Sequence, residues 1–147
     1  MTWRSLLAVV VGGALGTGLR LGLDLVVPHE PFPLSTLIIN VAGAFALGLL
    51  TARVWPTARP WVRAGLGPGL LGSFTTFSAF AVSLVSLGSS GQWMLGALYL
   101  VATIALGFGA AWAGLALGSR TGPTPPVIDD AAASAVRAVG KPAKEEK

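Results

Sequence analysis

The sequence has no cysteine, one histidine and one tyrosine. Without thiols it can build neither a disulfide framework nor a thiolate nucleophile or metal site. Charge is nearly as scarce. Asp, Glu, Lys and Arg make up 11% of the 147 residues, under half the share usual in a soluble domain. From Ala64 to Ser119 no side chain carries a charge of either sign. That stretch holds no carboxylate to titrate in mid-membrane, and the chain has no nucleotide-binding motif, which argues against a pump. An enzyme would need a nucleophile and a base, yet the sole histidine, His29, stands in a Pro-rich connection. The net charge of +4 is no nucleic-acid signal either. Arg4, Arg53, Arg59, Arg63 and Arg120 are dispersed at the ends of apolar runs, which is how membrane proteins place positive charge.

What remains is apolar: 53% of the residues are hydrophobic and the mean hydropathy is +0.73. A membrane span needs about 20 such residues. The pattern predicts an all-α membrane protein with four spans, roughly 3–27, 34–54, 62–87 and 93–118. The uncharged stretch is too long for one span, and "GSSGQ" at 88–92 is a turn signal that divides it. "VPHEPFP" and "WPTARPW" connect the first three spans. Trp3, Trp55, Trp61 and Trp93 fall near span ends, as an aromatic belt does. The apolar start continues to Val27 without a small-x-small cleavage site, so it reads as an uncleaved helix rather than a signal peptide. Residues 1–120 are expected to form the membrane domain. Residues 121–147, rich in Pro, Ala and charge, are expected to be a disordered tail.

Polar groups inside the spans are few enough to weigh singly. Arg20 and Asp24 lie four apart on one face of the first helix, either as a mutual pair near the surface or with Arg20 drawing anions into an aqueous vestibule. Gly12 and Gly16, and Gly18 and Gly22, form GxxxG spacings suited to close helix packing. Asn40 in the second span needs partners in hydrocarbon: an interhelical hydrogen bond, or a water-filled path that it lines. Gly43 and Gly48 add close-packing positions. Tyr99 and Thr103 share a face of the fourth span. The third span is unusual. "GLGPGLLG" weakens a helix by both Pro and Gly, and non-helical backbone at membrane depth must be packed in protein or line a cavity. "SFTTFS" follows, and Phe74, Phe77 and Phe80 recur every three residues. Phenyl edges are positive, so rings aimed into a narrow path can touch an anion, while an opened helix can offer carbonyls to a cation.

These motifs resemble one family. "GGALGTGLRLG" resembles its glycine-rich first-helix motif, "STLIINVAGAFALG" its second-helix motif with a central Asn, and "GLLGSFTTFSAF" its third-helix signature. The family is the CrcB/Fluc group of small fluoride channels, and the resemblance covers all four spans. It implies a cell-membrane protein that forms an antiparallel, inverted dimer and passively exports fluoride, lowering its cytoplasmic concentration. By motif position, Phe77 and Phe80 would face fluoride and Asn40 would be the pore amide. Ser78, Tyr99 and Thr103 would belong to a polar track, and Arg20 to the vestibule. The backbone carbonyls of Gly72 and Thr75 would hold a structural sodium ion at the dimer interface. Ala79 and Gly107 depart from the pattern by replacing hydroxyls. The alternatives are a four-helix inverted-dimer transporter of multidrug type, which would use a buried carboxylate, and a non-conducting scaffold subunit. The arginines add an expectation of their own. With both termini and the second connection on one side, that side holds Arg4, Arg53, Arg59, Arg63 and Arg120, leaving only Arg20 near the other. Such a chain is expected to insert mainly with its termini in the cytoplasm, so the dimer is either a homodimer or a heterodimer with a homologous subunit of opposite bias.

Overall fold

The computed structural model describes residues 2–27 and 32–121; His29 and the expected tail beyond Thr121 lie outside the described residues. Six α-helices and one π-helical segment make up the order α1 (Trp3–Val26), α2 (Leu34–Arg53), α3 (Pro60–Ala64), π1 (Gly65–Leu71), α4 (Gly72–Phe74), α5 (Phe77–Ser89) and α6 (Trp93–Thr121). From Pro60 to Ser89 these pieces run as one span, so among the described residues four helical stretches are long and apolar enough to cross a bilayer. The shortest, α2, has 20 residues, about 30 Å of helix. The protein is therefore a multi-pass membrane protein.

Local signals account for the boundaries. The Thr2 hydroxyl accepts the Ser5 N–H at the start of α1. Pro60 opens α3, where its fixed φ suits a first helical position. After α5 the chain turns at Gly91, whose φ of +76° is the left-handed value that favours glycine. Gln92 N–H then donates back to the Leu87 carbonyl, closing the helix end. The expected turn between the third and fourth spans is in place.

Helix packing is organised as two tight pairs, α2 with α6 and α1 with π1. Glycine makes both possible. A Cβ at Gly12 would strike the Gly65 carbonyl, and one at Gly16 the Leu70 carbonyl. On the other pair, Gly48 faces the Ala111 carbonyl and Gly114 the Phe45 carbonyl with the same lack of room. Backbones approach this closely in lipid only where side chains are absent. Gly12, Gly16, Gly43 and Gly48 thus pack as expected. Gly18 and Gly22 do not pack so among the described residues, none of which lies within 4 Å of a Cβ at either. A small core of Leu37, Leu87 and Tyr99, flanked by Phe32, Phe80 and Leu84, ties α2, α5 and α6 together. Of the four tryptophans assigned to a belt, Trp3, Trp61 and Trp93 are exposed, but the Trp55 indole N–H is enclosed, and the ring packs near Gly67.

The third span is interrupted, at a different place from the one that glycine and proline suggest. "GLGPGLL" stays helical by widening. Gly72 N–H donates to the Gly67 carbonyl five residues back, the π pattern that accommodates Pro68 within a helix. The break comes later, at Thr75 and Thr76. Both are extended, with ψ of 157° and 122°.

Candidate functional site

At the break, one amide side chain replaces helical bonding. Asn40 of α2 accepts the Thr76 N–H through Oδ1 at 2.9 Å and donates from Nδ2 to the Thr76 carbonyl at 3.0 Å. Both backbone groups of Thr76 are thus satisfied away from water, as buried peptide groups must be. Asn40 keeps a second N–H, which has no hydrogen-bond partner among the described residues. The interhelical bond and the lined path were alternatives in the sequence; the amide makes that bond and also lines the open groove described below.

The Thr76 side chain restarts the helix. Its Oγ1 accepts the Ala79 N–H at 3.2 Å and lies 3.1 Å from Ser78 Oγ, an N-cap that sets the direction of α5. Sequence reasoning left Thr76 out of the site, although a Thr three residues before Ala79 at a helix start is a capping signal. On the other side of the break, Thr75 Oγ1 donates to its own helix at the Leu71 carbonyl, 2.9 Å. Its methyl fills the space left by Gly43.

The break also changes which carbonyls are occupied. In an unbroken helix the Thr76 N–H would serve the Gly72 carbonyl, and the Ala79 N–H the Thr75 carbonyl. Here Asn40 Oδ1 and Thr76 Oγ1 take those donors. Gly72 and Thr75 both line the groove.

From the break a row of rings leads into the subunit. Phe77 and Phe80 have centroids 5.9 Å apart, tilted by 45°. Phe80 and Tyr99 follow at 5.3 Å, and Tyr99 meets the Phe32 edge-on at 5.4 Å. Exposure runs along the row: Phe77 is 79% exposed and Tyr99 0%. The Tyr99 hydroxyl is enclosed beside those of Ser83 and Thr36, without the geometry of a formed hydrogen bond to either.

An open groove of about 720 Å³ gathers much of this, with Asn40, Gly72, Thr75, Phe77, Phe80 and Thr103 in its wall. The Thr103 hydroxyl donates to the Tyr99 carbonyl at 2.7 Å. Three expected site residues are not in the wall. Ser78 is exposed and tied to Thr76, Tyr99 stands behind Phe80, and Arg20 is elsewhere. Arg20 Nε lies 3.8 Å from Asp24 Oδ2, with both side chains about one third exposed. The two side chains pair along one face of α1.

Comparison with known proteins bears on the same region. The chain is 44% identical over 125 residues to "Fluoride-specific ion channel FluC 2" of Leifsonia xyli, covering 81% of this chain and 86% of that protein. "FluC 1" of the same organism is 42% identical over 132 residues, covering 86% and 96%. "Fluoride-specific ion channel FluC" of Deinococcus radiodurans is 43% identical over 128 residues, covering 82% and 99%. The model of the family described as "CrcB-like protein, Camphor Resistance (CrcB)" matches residues 7–115, from within α1 to within α6. The interrupted span and its Asn40 clamp lie wholly inside that match, and the chain belongs to the CrcB-like family.

Proposed function

We propose that this protein is a fluoride-selective channel of the cell membrane, non-enzymatic, that lets fluoride leave the cell down its electrochemical gradient. The observation that carries the reading is the row Phe77–Phe80–Tyr99 beginning at a helix break that Asn40 holds open. Fluoride is small and strongly hydrated, so a path must offer substitutes for water without binding too tightly. The positive edges of Phe77 and Phe80 supply a weak, dry contact. The second N–H of Asn40 and the enclosed Tyr99 hydroxyl are donors not otherwise engaged. Thr103 and Ser78 contribute by exchanging their present bonds. Efflux of fluoride from liposomes, against chloride as control, tests the reading; equal flux of the two, or none, overturns it. A multidrug-type transporter is disfavoured because the one carboxylate on α1, Asp24, lies beside Arg20 near the helix end.

The functional unit in this reading is an antiparallel dimer. Phe77 is too exposed to line a narrow path within a single subunit. Sodium fits the same unit. Carbonyl oxygens suit a hard cation, and the Gly72 and Thr75 carbonyls have given up their customary donors. One subunit supplies two such oxygens, so an inverted copy is needed to bring four together. Since backbone atoms do the binding, Thr75→Ser should keep sodium dependence, at about 1 kcal/mol for the lost methyl against Gly43. Prolonged sodium depletion should weaken the dimer and the flux; a protein indifferent to it has no such site.

A further inference from the structure

A second groove, of about 400 Å³, opens at the arginine-rich end of the subunit. Arg4 from the first turn of α1 and Arg59 from the residue preceding α3 line it, together with Trp61. Leu7, Ala8 and Val11 extend it along α1, with Leu7 and Val11 one turn apart on a single face. Beneath it the helices are held close at Gly65, where a Cβ would sit 3.1 Å from Ala8 Cβ. The groove shares no residue with the one containing Phe77. Among the described residues neither Arg4 nor Arg59 has an ion-pair partner, whereas Arg63 is engaged, its Nε donating to the Ala58 carbonyl at 3.2 Å.

A cationic mouth continuous with an apolar trough fits an amphiphile with an anionic head. We propose that this groove binds an anionic phospholipid, its phosphate between Arg4 and Arg59 and one acyl chain along Leu7 and Val11. Guanidinium groups pair with phosphate through two parallel hydrogen bonds and give up water readily. Trp61 has the amphipathic ring that settles at headgroup depth. Basic pockets between spans are a recurrent headgroup site, and two such charges favour an anionic over a zwitterionic lipid by roughly tenfold to thirtyfold. A soluble anion would use the arginines alone; only a lipid uses the trough as well.

The test is native mass spectrometry of the full-length chain in neutral detergent, offered phosphatidylglycerol or phosphatidylcholine of matched acyl chains. One phosphatidylglycerol per subunit should be retained preferentially. The preference should vanish in Arg4→Gln/Arg59→Gln, survive in Arg4→Lys/Arg59→Lys, and weaken in Leu7→Ser/Val11→Ser. Melting followed by circular dichroism establishes that each variant is folded; should the double Gln variant not fold, Arg59→Gln alone must lower the preference. Equal retention of the two lipids, or a preference unchanged without the arginines, overturns the proposal. So does displacement of the lipid by an equal concentration of inorganic phosphate. If the preference emerges only when Asp129, Asp130, Glu145 and Glu146 are neutralised, the tail is the occupant and the lipid is not.

Discussion

Asn40 completes the backbone of Thr76 and keeps one N–H without a partner among the described residues, whereas Phe77 is 79% exposed and has only the Phe80 ring beside it among the described aromatic contacts. The two residues therefore separate stability from permeation. Phe77→Ile keeps bulk and removes the positive ring edge, so fluoride flux should fall at least about tenfold while the melting temperature and dimer are unchanged. Phe80→Ile should lose flux similarly, with some stability as well, because Phe80 packs on Tyr99. Asn40→Ala leaves two buried peptide groups without partners and should cost about 1–3 kcal/mol, lowering melting temperature and flux together. Parent rates in both Phe variants would place the path elsewhere. These residues were legible in the sequence because Asn is rare in a span and Phe77 and Phe80 stand three apart, although the extended Thr75 and Thr76 separate Phe74 from them. Thr76 was not, since its hydroxyl caps a helix whose start is visible only once the break is located. Arg20 was legible as a charge in a span and its pairing with Asp24 from their spacing of four, but its absence from the groove wall depends on how the helices pack.

Helix pairing decides which glycines matter. Gly48 and Gly114 let α2 and α6 touch backbone to backbone, and a methyl at either would strike a carbonyl. Gly48→Ala should force the pair apart and lower the melting temperature, at about 1–3 kcal/mol. Gly22→Ala meets nothing among the described residues, and should be neutral or stabilising by about 0.5–1 kcal/mol through helix propensity. Equal effects of the two would mean that the α2–α6 contact is looser than described. Span limits were readable from hydropathy and turn residues to within a few positions. The interruption was readable as existing but not as placed. Gly and Pro weaken a helix, yet a π segment absorbs Pro68 without opening it. The opening falls where Asn40 offers a better partner to Thr76, a competition between elements 36 residues apart. Likewise GxxxG spacing predicted packing for both glycine pairs of α1, and among the described residues only the pair facing π1 has a neighbour within 4 Å.

On the scale of the whole molecule the described arginines other than Arg20 fall at one end. Arg4 and Arg59 line one groove, while Gly118 closes on Ala52 and the Arg53 backbone, with Arg120 following in α6. Arg20 is 16 residues along α1 from Arg4, about 24 Å away, beside Asp24. An inverted homodimer needs a chain that inserts both ways, with Lys and Arg nearly balanced between its two ends. This chain has a strong excess at the end where α1 begins and α6 finishes, before Arg137, Lys141, Lys144 and Lys147 of the sequence are counted. Under the positive-inside rule it should insert mainly with both termini in the cytoplasm, and a homologous subunit of opposite bias should complete the antiparallel dimer. The competing outcome is that the bias is overridden and the chain inverts on its own. A sidedness reporter fused to the C-terminus decides between them, read alongside fluoride flux from the chain expressed alone. Signal confined to the cytoplasmic side, with flux appearing only when a second homologue is supplied, is the expected result. Comparable signal from both sides together with flux from the single chain would leave the dual-topology homodimer standing.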